Sequence, residues 1–330
     1  MDELDFLYLK NKSYYGDSEK IEIDNKDGWN VMHWNINGLK NKIDDVNLLL
    51  DDLQKKNVVI DVIMFCETHL NIDDNLPQIC NYESVHYVRQ TPGGGVSIYI
   101  LSQYKYKENK KYQKLFREPN ESIFLEVDSP NELCKKKILL GEIYRRPVGS
   151  PDIYITDMQK LLSQIKNIYK HVYIGTDQNI NFLDTTKNIG DKLLNVVYEN
   201  DIIPTVEIPT RCTYTTDTLI DNIYIDIKDC DSYECIVIKD KTSDHYPCLL
   251  IHYNKEKILE REVYVKSRKL NDAKYKKIID KLQLVNWNEL INDDKTIDEC
   301  YDNMIGKINE ILDEIAPEKL KRLKKKNFFS

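Results

Sequence analysis

Residues 58–66, Val-Val-Ile-Asp-Val-Ile-Met-Phe-Cys, are apolar at odd and even positions alike except for Asp61. A strand with that pattern is hidden on both faces, so it belongs in the centre of a covered sheet. Before it, Ile43, Val46, Leu49, Leu50 and Leu53 recur at helical spacing, which predicts an amphipathic helix over 40–56. The same order returns later. Ile155, Met158, Leu161, Leu162, Ile165 and Ile168 form a helix face over 151–169, and a short apolar strand, His171 to Ile174, follows. Helix then buried strand, used twice, implies a layered α/β fold.

Other strands are expected from Trp29 to Gly38, over 82–88 and 94–101, over 122–127 and 137–144, and over 218–225, 233–238 and 248–253. A second helix of the later group is expected near 190–200. Arg89 to Gly93 would join two of the strands, with Gly93-Gly94-Gly95 allowing a tight hairpin and close backbone approach. That glycine run lacks the following lysine and helix of a phosphate-cradling loop. Residues 102–118 are polar and basic and read as a surface segment. Residues 1–27 are charged and aperiodic and read as a loose N-terminal arm. Beyond Tyr253 the composition shifts. Residues 254–330 carry helical spacing (Ile278, Ile279, Leu282; Met304, Ile308, Ile311, Ile315), no strand signal, and a basic run ending at Lys326. The expected division is an arm at 1–27, a domain at 28–253 and a helical linker with a basic tail at 254–330.

The chain has 330 residues, 41% of them hydrophobic and 31% charged, the balance of a soluble globular protein. No apolar run approaches the roughly 20 residues needed to span a bilayer, and the acidic start lacks a signal-peptide core. None of the eight cysteines lies in a Cys-x-x-Cys pair, which argues against a zinc site and for reduced, buried thiols. A nuclear or cytoplasmic location is expected. The net charge of −8 argues against whole-surface binding to nucleic acid, but not against a local groove or a metal site that handles phosphates.

The chemistry gathers where strands end. Glu67 directly follows the fully buried run, where a carboxylate is costly unless paired or metal-bound. Asn35 and Asn37 close the first strand, in a pattern that also fits a plain turn. Tyr144 and Arg145 close another strand. Asp177 and Asn179 follow His171 to Ile174. Asp221 interrupts an apolar strand and needs a partner, for which His245 is the best candidate. Asp244 and His245 sit at the tip of Lys241-Thr242-Ser243-Asp244-His245-Tyr246-Pro247, between two apolar runs. Carboxylates and amides are hard oxygen donors suited to Mg²⁺. With no nucleotide-cradling loop and no serine-nucleophile motif, the inventory supports hydrolysis of a phosphate ester by water.

Seven motifs follow one another: Trp-Asn-Ile-Asn-Gly-Leu (34–39), Cys-Glu-Thr-His-Leu (66–70), Gly-Gly-Val-Ser-Ile-Tyr (94–99), Ile-Tyr-Arg-Arg-Pro (143–147), Gly-Thr-Asp-Gln-Asn (175–179), Leu-Ile-Asp-Asn-Ile (219–223) and Ser-Asp-His-Tyr-Pro (243–247). In this order they resemble the endonuclease/exonuclease/phosphatase family, and more closely the apurinic-type endonuclease domain of non-LTR retrotransposons. The resemblance covers about residues 28–253. It implies a four-layer α/β sandwich, two packed mixed β-sheets flanked by helices, with a C-terminal helical extension. It also implies roles. Asn35 and Glu67 would hold Mg²⁺ or Mn²⁺, with Asp244 nearby. Tyr144 and Asn179 would contact the scissile phosphate. Asp177 would position or deprotonate the attacking water, or assist the leaving oxygen. Asp221 would orient His245, which would stabilise the developing charge or move a proton. Thr213, Asn222, Arg145 and Ser243 would be further substrate contacts. One departure stands out: Thr176 separates Gly175 from Asp177, where many relatives have Gly-Asp directly, and could displace the aspartate.

The leading expectation is therefore a Mg²⁺-dependent enzyme that nicks DNA, acting as a monomer with no membrane attachment. The 254–330 segment resembles the linker that precedes a reverse transcriptase. With no polymerase motif after it, a truncated or partial retrotransposon product is expected. The alternatives are a small-molecule phosphatase or phosphodiesterase of the same fold, and a non-catalytic nucleic-acid-binding remnant.

Overall fold

The computed structural model describes residues 12–17, 21, 28–72, 75–89, 93–128, 136–213, 215–230, 232–253, 264–267, 272–292, 296–317 and 319–322. Its contacts divide it into two compact units, Met1–Lys255 and Glu256–Ser330. In the first, the strands are β1 (Ser13–Gly16), β2 (Trp29–Asn35), β3 (Val62–Cys66), β4 (Tyr82–Tyr87), β5 (Val96–Leu101), β6 (Tyr106–Glu108), β7 (Glu121–Val127), β8 (Ile138–Tyr144) and β9 (His171–Asp177). They continue as β10 (Ile202–Pro204), β11 (Arg211–Cys212), β12 (Asp217–Thr218), β13 (Asp221–Asp226), β14 (Tyr233–Ile238) and β15 (Cys248–His252). The main helices are α1 (Ile43–Lys55), α2 (Pro151–Ile165) and α3 (Asn188–Glu199).

One sheet has the order β1-β14-β15-β2-β3-β5-β4, and the other β10-β13-β9-β8-β7-β6. Both are mixed. β2 and β3 run parallel, joined through α1, and β8 and β9 run parallel, joined through α2. A parallel pair needs such a crossover, which is why the helix-then-strand pattern appears twice in the sequence.

Strand alternation sets the layers. Val31, Val62, Met64, Ile98, Leu140, Tyr173, Ile225 and Leu250 face one another between the sheets. Their neighbours point outward: Met32, Trp34 and Ile63 pack on Val46, Leu49 and Leu53 of α1. On the far side, Leu139, Val172 and Ile174 pack on Met158, Leu161 and Leu162 of α2 and on Leu193 of α3. The result is helix, sheet, sheet, helix. Each fully hidden Leu or Ile contributes about 1.5–3 kcal/mol of transfer free energy.

In the first unit, three sequence readings are corrected. Within the segment read as a loose arm, Ser13–Gly16 pairs in parallel with β14 as an edge strand. The basic stretch 102–118 contains β6, which pairs with β7, and buries Tyr112 and Phe116. Backbone pairing, which tolerates almost any side chain at a sheet edge, overrode the polar composition in both. Asp221 begins its strand instead of interrupting it, because residues 217–218 turn away to pair with 211–212.

In the second unit, α4 (Asp272–Gln283) contacts α5 (Ile297–Ile315), and Lys281 reaches Glu314 between them. A capping box closes the start of α5: the Thr296 hydroxyl accepts from the Glu299 amide, and the Glu299 carboxylate accepts from the Thr296 amide. Tyr264–Ser267 pairs antiparallel with Lys319–Arg322, so this segment does hold strands. The pairing is over four residues far apart in sequence, with no alternation strong enough to announce it. The basic run beyond residue 322, most of the N-terminal arm and turn residues 90–92 lie outside the described residues. Among the described residues, no helix is long and apolar enough to cross a membrane.

Candidate active site

β2, β3, β8 and β9 point their C-terminal ends, and β13 its N-terminal end, at one rim of the sandwich. The registers put Asn35 opposite Cys66, Tyr144 opposite Asp177, and Asp177 opposite Asp221. All four polar side chains occupy inward-facing positions, so they converge between the sheets.

Asn35 ties the two sheets together. Its amide nitrogen donates to Glu67 Oε1 at 2.7 Å and to Asp177 Oδ2 at 2.8 Å. Its amide oxygen accepts from the Asn37 backbone N–H at 3.1 Å. Glu67 also receives hydrogen bonds from His69 and Tyr144, and is partly open to solvent. Burial works to raise its carboxyl, but the donors His69, Asn35 and Tyr144 outweigh it and keep the group below the ordinary value. Glu67 and His69 adopt φ of +50° and +54°. Left-handed backbone at two side-chain-bearing residues is strain of a kind that gathers at functional sites.

Asp177 has no exposure to solvent. Burial, and after it the charge of Asp221, raise its carboxyl to about 7, against the pull of His245 and the Asn35 hydrogen bond. Its other oxygen accepts from the Asn179 backbone N–H at 3.0 Å. Asp221 Oδ2 accepts from Thr210 Oγ1 at 2.6 Å and pairs with His245 Nδ1 at 2.8 Å. Burial alone would depress the His245 imidazole, but Asp221, Asp177 and Asp244 carry it up to about 9. The loop that holds His245 is pinned by Trp34 Nε1 donating to the His245 carbonyl at 2.9 Å, and by Ser243 Oγ donating to the Asn35 carbonyl at 2.8 Å.

Beneath the rim lies a second layer that sequence reasoning missed. His33 Nδ1 lies 3.1 Å from Glu142, and His33 Nε2 lies 3.5 Å from Asp221 Oδ1, all fully buried. Glu142 and Asp221 lift the His33 imidazole to about 10 in spite of burial. The signal was present: His33, Glu142 and Gly175 each stand two residues before a rim residue, hence on the same inward face. Gly175 is the position that makes room. A Cβ there would lie 2.4 Å from Glu142 Oε2 and 2.9 Å from His33 Nδ1. Thr176 points the other way, to the Tyr154 hydroxyl at 3.0 Å, and leaves Asp177 bonded to Asn35.

Asn35, Glu67, Tyr144, Asp177, Asn179, Asp221, Ser243 and His245 are therefore brought together. Four other candidates are engaged otherwise. Arg145 is 4% exposed, and its guanidinium donates to the carbonyls of Gln178, Arg146, Gly149 and Asn179. It straps the 177–179 turn to the end of β8 with four of its five donors. Asn222 faces outward on β13 and is held by the backbone of Thr205 and Val206. Thr213 caps its own exposed turn with Thr216. Asp244 is ion-paired with Arg211 at 2.8 Å and accepts from Asn37 at 3.4 Å. Arg211 and Thr210 carry no comparable signal in the sequence, since neither lies in an apolar run that would fix its orientation. The donor set that fits a hard divalent cation is thus centred on Glu67: a partly exposed, ionised carboxylate beside a neutral amide. Asp244 already carries a cation.

No protein-family model and no curated protein matches the sequence. Solved structures do. The endonuclease domain of TRAS1, a telomere-specific non-LTR retrotransposon, aligns over 69% of this chain and 99% of its own, with a TM-score of 0.52 at 13% identity. The AP endonuclease LMAP from Leishmania major aligns over 77% of this chain and 100% of its own, with a TM-score of 0.55 at 12% identity. The 3′-5′ exonuclease NExo from Neisseria meningitidis aligns over 68% and 100%, with a TM-score of 0.53 at 14% identity. Identities this low speak to architecture alone. With its two mixed sheets, outer helices and these neighbours, the chain has the endonuclease/exonuclease/phosphatase fold.

Proposed function

We propose that the chain is a divalent-metal-dependent hydrolase of phosphodiesters, and specifically an endonuclease that nicks DNA as the cutting module of a non-LTR retrotransposon product. The observation that carries this reading is the single Asn35 amide bridging Glu67 and Asp177, next to a buried Asp221–His245 pair. A cation-binding carboxylate, a candidate base and a charged imidazole then face one small volume. That is the equipment for in-line attack of water on phosphorus.

In the proposed reaction, ionised Asp177 orients the water and takes its proton. The new P–O bond forms as the bond to the leaving oxygen breaks on the opposite side, and that oxygen takes a proton from solvent. Protonated His245 directs its free Nε2–H at a non-bridging oxygen as negative charge builds there, and Asp221 holds the ring and its charge. Tyr144 offers a hydroxyl that burial and Glu67 keep protonated. Asn179 gives one N–H to the Arg145 carbonyl at 2.8 Å and keeps the other for the phosphate. A Mg²⁺ or Mn²⁺ ion held at Glu67 and Asn35 would, when bound, offset the charge of the phosphate oxygens.

The test is nicking of supercoiled plasmid by the purified chain. Nicking should need Mg²⁺ or Mn²⁺ and should fall about 10³-fold or more in Asp177→Asn and in His245→Ala. Release of phosphate from inositol phosphates with no DNA cleavage would replace this reading by that of a small-molecule phosphatase. Salt-sensitive DNA binding without any cleavage would leave only a binding remnant.

A further inference from the structure

β9 is seven residues long and carries Asp177 at one end and His171 at the other, about 20 Å apart at the usual strand rise. The His171 end holds a second cluster. His171 Nδ1 lies 2.8 Å from Asp229 Oδ2, and His252 Nε2 lies 3.8 Å from Asp229 Oδ1. The two imidazoles stand edge to face with centroids 4.8 Å apart. His171 opens β9 of one sheet, His252 ends β15 of the other, and Asp229 sits in the turn after β13.

We propose that His171, Asp229 and His252 form a second metal site, for a transition-metal dication of the zinc class, which staples the two sheets at the end of the sandwich away from the phosphodiester site. One ligand atom from each of the three lies within 4.8 Å of the others. Ligands at about 2.0–2.2 Å from a tetrahedral zinc stand roughly 3.3–3.6 Å apart, so drawing the three ligand atoms, all within 4.8 Å of one another, onto one ion asks for side-chain shifts of about 1.5 Å at most. Two nitrogens and one carboxylate make a borderline donor set, which selects zinc-like ions over Mg²⁺. No cysteine takes part, so the missing Cys-x-x-Cys spacing does not bear on it.

The surroundings are those of a metal-binding imidazole. The Tyr173 hydroxyl, from the opposite sheet, bonds His252 Nδ1 and aims Nε2 at Asp229. Ser232 Oγ donates to the Asp229 carbonyl at 2.9 Å and lies 3.1 Å from His252 Nε2. Metal binding requires Nε2 to carry a lone pair. The proton then sits on Nδ1, and Tyr173 accepts it in a hydrogen bond, so the ring stays neutral and no buried charge is added. Asp229 and His252 are nearly inaccessible, whereas the His171 side chain is 21% exposed. A fourth position therefore opens toward water on the His171 side.

The experiment uses the full chain, stripped with a chelator and titrated with ZnCl₂ in excess Mg²⁺, which occupies the hard-oxygen site. Binding of one zinc per chain, with the melting temperature raised by several degrees, is expected. His171→Ala should weaken zinc at least about tenfold and lose the thermal shift, with an unchanged circular dichroism spectrum. Glu67→Gln should bind zinc as the wild type does. No zinc uptake at high micromolar concentration overturns the proposal, as does His171→Ala titrating like the wild type. If His171→Ala does not fold, cobalt in the wild-type chain decides: the intense visible bands of a four-coordinate site support it, and a pale six-coordinate spectrum overturns it.

Discussion

Asp177 and His245 sit in the same desolvated rim, and both are pushed toward their protonated forms, Asp177 by burial and the charge of Asp221, His245 by its neighbouring carboxylates. In the proposed reaction Asp177 must be ionised to accept a proton, so activity should rise as pH climbs through about 7. In the same proposed reaction His245 must keep its proton, so activity should fall as pH passes about 9. A bell-shaped kcat/KM profile between those limits is the expected outcome. Asp221→Asn removes the charge that holds the imidazolium and should move the alkaline limb downward; an unmoved limb would exclude His245 as the titrating group. Arg145 makes a different residue-scale prediction. Its donors serve four carbonyls, two of them buried, so Arg145→Ala should cost about 2–4 kcal/mol in denaturant unfolding. KM for DNA should stay near the wild-type value in whatever fraction folds. A collapse of DNA affinity at full stability would return Arg145 to the substrate contacts. The motif showed that an arginine follows Tyr144, but the folded chain alone reveals where four of its five donors go.

β9 does the most work among the elements, because its pleat sorts consecutive residues to opposite sides. Gly175 and Asp177 face the other sheet while Thr176 faces α2, so the extra threonine changes nothing at the rim. Gly175→Ala tests this geometry. The new methyl group meets Glu142 and His33 inside a packed layer, and overpacking there should cost about 1–3 kcal/mol in stability. It should also lower kcat, since Asp177 rides on the same strand; full activity at wild-type stability would show that the layer can shift. The turn after β3 stores strain at Glu67, which sequence inspection placed correctly at a strand end without revealing its left-handed backbone. Asn222 illustrates the opposite failure. Its neighbour Asp221 faces inward, so pleat geometry sends Asn222 out to the 205–206 backbone, although the motif lists them together.

For the whole molecule, the two compact units predict that residues 1–255 fold and nick DNA without the remainder. Cooperative unfolding and plasmid nicking at no less than about half the full-length rate are expected, measured by circular dichroism and gel assay. Loss of the folded state on truncation would show that the second unit is part of the domain. The sandwich architecture was legible because long buried strands and amphipathic helices follow from local periodicity, which needs no partner to be read. Edge elements such as β1, β6 and the pairing of 264–267 with 319–322 were not, since their pairing partners lie far off in sequence and their side chains carry little pattern.

From the amino-acid order alone came the layered α/β class, the helix-strand repetition, and the set of strand-end groups Asn35, Glu67, Tyr144, Asp177, Asp221 and His245. Those follow from burial cost: a polar group at the end of an apolar strand must find a partner. Which partner it finds depends on registers between strands as far apart in sequence as Trp29 and His252, and on which way each pleat points. Only folding decided that Asn35 would join Glu67 to Asp177, that Arg211 would take Asp244, that His33 and Glu142 would underlie the rim, and that His171 would meet His252 across the sandwich.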